Sequence, residues 1–171
     1  MNIRTLSTSD GPAFRALRLA ALLDTPEAFA TSHVEERDLP LAAFEARLVE
    51  APGHAVFGAF DGHTLVGITG LARETLLQAA HKAQVWGMYV AAGARGQGVA
   101  RELMQAALAH ARATPGIAKV TLSVDAANVA AIALYESLGF AVFAREADAT
   151  RLHGESRDEL QMHLRFAPAS S

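Results

Sequence analysis

Cysteine does not occur among the 171 residues of the chain. Its absence excludes disulfides, thiolate metal ligands and any reaction that passes through a covalent cysteine acyl intermediate. Positive charge is not in excess either, because 15 Lys and Arg residues stand against 18 Asp and Glu residues, for a formal net charge of -3. Proteins that bind nucleic acids usually carry a basic surface that neutralises phosphates, so the composition argues against DNA or RNA as a partner.

Long apolar runs are also missing, and no stretch reaches the roughly 18 apolar residues that a membrane-spanning helix needs. The run rich in leucine and alanine at 17–23 is interrupted by Arg18, preceded by Asp10 and closed by Asp24. These charges favour an amphipathic helix over an export signal. We therefore expect a cytoplasmic protein with no membrane partner.

The apolar residues that the chain does contain are sufficient for one core. Hydrophobic residues make up 51% of the sequence, and a chain of this length usually folds as one domain that buries most of its apolar surface. We predict a single domain over residues 1–167, followed by a flexible tail over 168–171.

Segments typical of strands and helices alternate along the chain. The predicted strands cover 3–6, 55–60, 65–72, 84–90, 120–124, 140–144 and 160–166. Predicted helices begin near Ser9 to Pro12 and cover 41–50, 99–111 and 128–138, whereas 24–40 is predicted to form a loop or a broken helix. Asp61-Gly62 predicts a hairpin between the second and third strands. Interleaved strands and helices indicate an α/β or α+β domain with one mixed sheet.

A glycine-rich turn, Arg95-Gly96-Gln97-Gly98-Val99-Ala100, joins the strand ending at Val90 to the next helix. The N-terminus of a helix presents unpaired N–H groups and the positive end of its dipole, so a phosphate or pyrophosphate fits here, with Arg95 placed to donate. A dinucleotide fingerprint would need a small residue where Arg101 stands, and a P-loop would need Gly-Lys-Ser or Gly-Lys-Thr, so neither family matches. The turn by itself also fits a purely structural use of glycine.

Asn128 and Tyr135 lie seven residues apart on a predicted helix that Gly139 ends. At that spacing the two side chains share a face, about 10.5 Å apart along the axis, and could grip one extended ligand. Each also has an ordinary structural explanation, Asn128 as a helix cap and Tyr135 as a core aromatic residue.

Taken together, Met88-Tyr89-Val90, Arg95-x-x-Gly98-x-Ala100, Asn128 and Tyr135-x-x-x-Gly139-Phe140 resemble the GNAT superfamily of acyl-CoA-dependent N-acyltransferases. The order of predicted elements extends the resemblance from Ile3 to Phe166. It implies a mixed, mostly antiparallel sheet flanked by helices and splayed at its central strands to hold acetyl-CoA. Shorter segments resemble a bacterial branch whose acceptors are mostly unassigned: Pro26-Glu27-Ala28-Phe29, Trp86-Gly87-Met88-Tyr89-Val90 and Asp158-Glu159.

The resemblance implies a role for each matching residue. After a bulge at Gly87, the backbone of Met88, Tyr89 and Val90 would bind the pantetheine arm, and an N–H near Met88 would contact the oxyanion. Asn128 would contact the arm, and Tyr135 would be the general acid for the departing thiolate. The pyrophosphate would be held by the glycine turn: Arg95, Gly96, Gln97, Gly98, Val99 and Ala100. Acetyl-CoA is the implied co-substrate, and no metal is expected.

The general base is not identified by the sequence. Members of the family often carry Glu or His at the positions of Gln84 and Trp86, and neither of these side chains titrates. Trp86 either shapes the acceptor pocket or is buried in the core. Side chains that could reach the cleft directly or through water are His81, Glu74, Glu27 and Glu35.

The acceptor is also open. The predicted reaction is direct acetyl transfer to a small amine or to a peptide or protein amine, since cysteine is absent and no Gly-x-Ser-x-Gly elbow occurs. By resemblance the loop 24–38 lies over the acceptor cleft, and its excess of carboxylates favours a cationic amine. A non-catalytic acyl-CoA sensor is the main alternative, and a nucleotide-binding module that uses the glycine turn is another. Many relatives are dimers, so a homodimer is open as well.

Overall fold

The computed structural model of the chain describes residues 1–168. Its strands are β1 (Asn2–Thr5), β2 (His54–Asp61), β3 (Thr64–Arg73), β4 (Lys82–Val90), β5 (Lys119–Asp125), β6 (Ala141–Leu152) and β7 (Glu155–Arg165). Its helices are α1 (Gly11–Asp24), α2 (His33–Glu36), α3 (Leu41–Ala46), α4 (Val99–Ala113) and α5 (Val129–Ser137). All seven strands form one sheet in the order β1-β2-β3-β4-β5-β7-β6. Most of the predicted tail, residues 169–171, lies outside the described residues.

The sheet opens at its centre, between β4 and β5. These strands are parallel and pair only at residues 82–84 and 119–121, after which they diverge. Every other neighbouring pair of strands is antiparallel. The predicted architecture, a mixed and mostly antiparallel sheet that splays at the central strands, is therefore confirmed.

Helices cover both faces of the sheet and create two cores. On one face, α4 places apolar side chains at helical spacing, and Leu103 and Met104 are fully buried in a cluster with Leu71 and Val120. On the other face, α1 and α3 pack Phe14 and Phe44 edge to face, with ring centroids 6.3 Å apart. Burial of these faces holds the central strands in place from both sides while their diverging ends remain open.

Three predicted boundaries were wrong. The helix predicted over 41–50 ends at Ala46, and the strands predicted over 140–144 and 160–166 are parts of a longer hairpin, since β6 and β7 have 12 and 11 residues. The hairpin turns at His153 and Gly154, which have φ of 51° and 82°. Most of β6 is exposed on both faces, so its sequence lacks the alternation of apolar and polar residues that identifies a half-buried strand.

The segment 24–40 is broken as predicted, with a 3-10 turn at Pro26–Ala28 and the single turn of α2. The hairpin of β2 and β3 is confirmed as well. No helix within residues 1–168 is both long and apolar enough to cross a membrane.

Candidate active site

A cleft of about 510 Å³ lies where β4 and β5 diverge. Seven of the eleven residues expected to bind the co-substrate line it: Met88, Tyr89, Val90, Arg95, Ala100, Asn128 and Tyr135. The other four, at 96–99, lie in the glycine turn beside its mouth and do not line it. An inner cavity of about 110 Å³ shares Met88 and Tyr135 with the cleft and extends to Trp86.

A bulge in β4 forms at Gly87, as predicted. Trp86 lies opposite Gly70 and Tyr89 lies opposite Ile68, so one extra residue of β4 is accommodated between these pairs. Gly87 has a φ of +65°, a conformation that a side chain rarely adopts. The bulge interrupts the pairing with β3 beside the cleft and redirects the strand that follows it.

The backbone of β4 beyond the bulge has a free edge toward the cleft. The amide of Ala91 donates to the carbonyl of Val66 on the β3 side, at 2.8 Å. Because amides of successive residues alternate in direction along a strand, those of Val90 and Met88 point the other way, into the gap. The carbonyl of Val90 points there too, since it accepts a hydrogen bond from Nε of Arg95 at 2.9 Å. An extended ligand can therefore accept from these two amides, whereas the carbonyl of Val90 already accepts from Arg95.

The glycine turn presents a group of unused donors. Gly96 and Gly98 have φ of 75° and 82°, and α4 begins directly after them. Within residues 1–168, the amides of Gly96, Gln97 and Gly98 donate to no carbonyl or side chain, and the first amides of α4 have no partner inside the helix. A Cβ added at Gly96 or Gly98 would meet no atom within 4 Å. The backbone conformation, rather than crowding, is thus what requires glycine.

Arg95 is already engaged at the mouth of the cleft. Its guanidinium donates to the carboxylate of Asp24 at the end of α1, and Tyr89 donates to the same carboxylate at 2.9 Å. The hydrogen bond from Arg95, and then that from Tyr89, lowers the pKa of Asp24 below its ordinary value. A contact of the Arg95 side chain with a pyrophosphate would have to compete with this ion pair.

Tyr135 is buried with its hydroxyl group beside the cleft. The residue is 6% exposed, and burial raises the pKa of its phenol to about 12. Within the described residues its hydroxyl has no hydrogen-bond partner, while the ring packs 6.1 Å from that of Phe140. The phenol is therefore neutral at physiological pH and available as a donor.

Asn128 caps α5, because its Oδ1 accepts from the amide of Ala131 at 3.1 Å, and it also lines the cleft.

Sequence reasoning missed two charged residues that line the cleft, Asp125 and Arg157. Asp125 is 7% exposed and ends β5. Its Oδ1 accepts from the amide of Ala127 at 2.7 Å, and its Oδ2 accepts from Nε of Arg157. A carboxylate directly after the strand predicted over 120–124 was the only sequence signal for Asp125, whereas Arg157 lies in the part of β7 that was not predicted as a strand.

Most carboxylates of the loop 24–38 are used within the protein. Asp24 pairs with Arg95, Glu35 accepts from the amide of Ser32 at 2.7 Å, and Glu36 is buried between two arginines. Of the acidic residues in this loop, only Glu27 lines the cleft. Glu27 is therefore the one carboxylate of this loop that is placed to attract a cationic acceptor.

Trp86 combines both roles that the sequence left open. Its indole packs against the second core and also lines the inner cavity. It lies over Gly70 on β3, where an added Cβ would come within 2.1 Å of the ring. Gly70 is therefore what leaves room for the indole beside the inner cavity.

No group of three side chains suited to bind a metal ion occurs within residues 1–168. The polar groups that reach the cleft are instead backbone amides, the side chain of Asn128, two phenols and a few charged side chains. Such a set can bind an extended, anionic ligand and hydrogen-bond to a leaving group.

Comparison with known structures finds the same fold throughout the chain. An acetyltransferase of the GNAT family from Streptococcus pneumoniae superposes with a TM-score of 0.89 at 18% identity, over 96% of this chain and 99% of that one. A putative acetyltransferase from Salmonella typhimurium, solved with its cofactor acetyl-CoA, gives 0.82 at 23% identity, over 100% and 96%. A GCN5-related N-acetyltransferase from Kribbella flavida gives 0.80 at 26% identity, over 96% and 97%.

A curated relative matches a shorter stretch. The mycothiol acetyltransferase of Thermobispora bispora is 56% identical over 46 residues, which are 27% of this chain and only 15% of that protein. The family model described as the acetyltransferase (GNAT) family matches residues 17–140. This match includes β4, the glycine turn, α4 and α5, which form most of the cleft. The chain belongs to the acetyltransferase (GNAT) family, and its predicted class, an acyltransferase, is confirmed.

Proposed function

We propose that the protein transfers the acetyl group of acetyl-CoA directly to a primary amine of a small molecule or of a peptide. The observation that carries the proposal is a cleft lined by the free edge of β4 and the buried phenol of Tyr135, with the unused donors of the glycine turn beside its mouth. The similar fold from Salmonella typhimurium, solved with acetyl-CoA, supports this choice of donor.

Acetyl-CoA has three parts that suit three parts of this site. The pyrophosphate matches the free amides of the glycine turn at the positive end of α4, from Gly96 to Ala100. The pantetheine amides match the free backbone edge at Met88 and Val90. Asn128 and Tyr135 then flank the thioester end from α5. The guanidinium of Arg95 can bind the pyrophosphate only if its ion pair with Asp24 is broken.

In the proposed reaction, a neutral amine attacks the thioester carbonyl while the amide of Met88 donates to the oxygen that becomes negative. Collapse of the intermediate breaks the C–S bond, and the hydroxyl of Tyr135 donates to the sulfur. With a phenol pKa of about 12 against about 8.5 for an ordinary thiol, complete transfer of the Tyr135 proton would be uphill by about 5 kcal/mol. Tyr135 therefore stabilises the leaving thiolate by a hydrogen bond, and the amine is the ultimate source of the proton on sulfur.

Melting temperature with and without acetyl-CoA tests the donor site. Ligand at 100 times its dissociation constant adds about 2.7 kcal/mol of stability, which corresponds to roughly 5 to 11 °C in a domain of this size. ATP and NAD should give no comparable shift. Gly98→Glu should abolish the shift with acetyl-CoA, because it places a carboxylate among the pyrophosphate donors. Gly62→Glu is the matched control, since Gly62 also has a positive φ and open space but lies in the β2–β3 turn.

A non-catalytic acyl-CoA sensor is the second candidate, and the lack of a titratable side chain at Gln84 and Trp86 of β4 favours it. Release of free coenzyme A decides between the two, and a thiol-reactive dye has no protein background because cysteine is absent. If the wild type acetylates an amine and Tyr135→Phe slows that reaction, the result supports the enzyme. A thermal shift with acetyl-CoA but no thiol release with any amine supports the sensor.

A further inference from the structure

We propose that Glu27 is the catalytic base of this site, and that its carboxylate takes the proton from the acceptor amine as the nitrogen attacks the thioester. This role rests on the proposed acetyl transfer and adds the group that β4 does not supply. Glu27 lines the same cleft as Met88 and Tyr135, which places it with the groups assigned to the oxyanion and to the leaving sulfur.

The backbone around Glu27 holds it in a defined position. It lies in the 3-10 turn that follows α1 directly, where the amide of Ala28 donates to Thr25 at 3.0 Å and that of Phe29 donates to Pro26 at 3.3 Å. The ring of Phe29 packs under the guanidinium of Arg18, at 4.7 Å, and Arg18 is only 6% exposed. The turn is thus anchored to a buried side chain of α1.

The carboxylate of Glu27 is free to accept a proton. Within residues 1–168 it forms no hydrogen bond and no ion pair. Asp125, the other carboxylate of the cleft, has both oxygens occupied, by the amide of Ala127 and by Arg157. The hydrogen bond with Asp125, and in lesser part the charges of Asp125 and Glu27, raises the pKa of Arg157, which forms its ion pair with Asp125 and not with Glu27.

The other candidate bases are in the wrong place. Glu35 is bound to the amide and hydroxyl of Ser32 at 2.7 and 2.8 Å and does not line the cleft. Glu74 and His81 flank the start of β4, where the amide of Glu74 donates to Lys82 and β4 is still paired with β5. That end of the strand is closed, whereas the cleft lies beyond the bulge at the other end.

The step balances without any further reactant. The lone pair of the amine forms the C–N bond, the carbonyl π pair moves to oxygen, and Glu27 takes one N–H proton, directly or through one water. The oxygen pair then re-forms the carbonyl as the C–S bond breaks and its electrons go to sulfur. The one proton that Glu27 removes from the nitrogen balances the one proton that the sulfur gains. The products are therefore the N-acetyl amine and the free thiol of coenzyme A.

The test compares Glu27→Gln with Glu35→Gln, a matched change in the same loop, using ethanolamine, lysine, spermidine and a hexapeptide with a free N-terminus as acceptors. We expect Glu27→Gln to lower kcat by about 10²- to 10⁴-fold, with KM for acetyl-CoA and the thermal shift by acetyl-CoA unchanged. The deficit should shrink as the pH rises from about 7 to about 9.5, because solvent base then replaces the carboxylate. Glu35→Gln should keep wild-type kcat, because glutamine can still accept from Ser32.

Each outcome separates the base from the reaction itself. An active wild type with an equally active Glu27→Gln variant, or a loss that is the same at every pH, would overturn the role of Glu27 and leave acetyl transfer standing. A wild type that binds acetyl-CoA but acetylates none of the four acceptors would overturn Glu27 together with the proposed turnover.

Discussion

Burial of Tyr135 raises the pKa of its phenol from the ordinary value of 10.0 to about 12. Two pKa units correspond to about 2.7 kcal/mol of preference for the neutral form. At pH 10, about 1% of Tyr135 should be ionised, whereas a solvated phenol would be half ionised. The chain has two tyrosines, so Tyr89→Phe leaves Tyr135 as the only chromophore whose ionisation changes the near-ultraviolet absorbance.

The same shift makes folding depend on pH. In the unfolded chain the phenol loses its proton near pH 10, before it does in the folded protein, so the stabilisation by Tyr135 is complete below pH 10. It is lost as the pH rises toward 12, up to a total of about 2.7 kcal/mol. Urea unfolding should therefore show that the unfolding free energy falls between pH 8 and pH 11 by more in Tyr89→Phe, which keeps Tyr135, than in the double variant Tyr89→Phe/Tyr135→Phe.

A midpoint near pH 10 for Tyr135 in folded Tyr89→Phe protein would refute this reasoning. It would mean that water solvates the phenolate, and that the hydroxyl is not held in the low-dielectric wall of the cleft. Added acetyl-CoA is a further check, because a ligand that covers the cleft should move the midpoint upward or leave it unchanged, and never lower it toward 10.

Three other substitutions test separate parts of the structure. Burial alone would raise the pKa of Glu36, but its arginine partners hold it at about 2. Glu36→Gln should therefore lower the unfolding free energy at pH 7 by about 3 kcal/mol, and the wild type should lose this part of its stability as the pH falls from about 4.5 toward 2; urea unfolding measures both. Gly70→Ala should cost about 1 to 3 kcal/mol in the same assay because its Cβ meets the indole of Trp86, and adding Trp86→Ala should recover part of the loss. Asp24→Asn should release Arg95 toward the pyrophosphate and tighten acetyl-CoA binding by about 2- to 5-fold in calorimetry; unchanged or weaker binding would mean that Arg95 does not reach the ligand.

The bulge and the glycine turn beside the cleft could be predicted from the sequence because they depend on backbone conformation. Gly87, Gly96 and Gly98 all have positive φ, and glycine is the residue that tolerates it, so the bulge and the turn are visible in the sequence itself. Tyr135 could be placed because the apolar residues around it define the helix on which it lies. The engagement of Arg95 by Asp24 could not be predicted, because nothing local shows that the end of α1 reaches the glycine turn.

The charged residues Asp125 and Arg157 of the cleft were hidden because they meet only through long-range pairing. Arg157 faces Asp125 because β7 pairs with β5 in the register that puts Glu159 opposite Asp125. A shift of that register by one residue would turn Arg157 to the opposite face of the sheet. No hydrophobic alternation marks this stretch of β7 or its partner in β6, so the local sequence gives neither the strand nor its register. Glu27 was one of four candidates for the general base in the sequence. The turn after α1, which is anchored through Phe29, distinguishes it from the others because it brings Glu27 into the cleft.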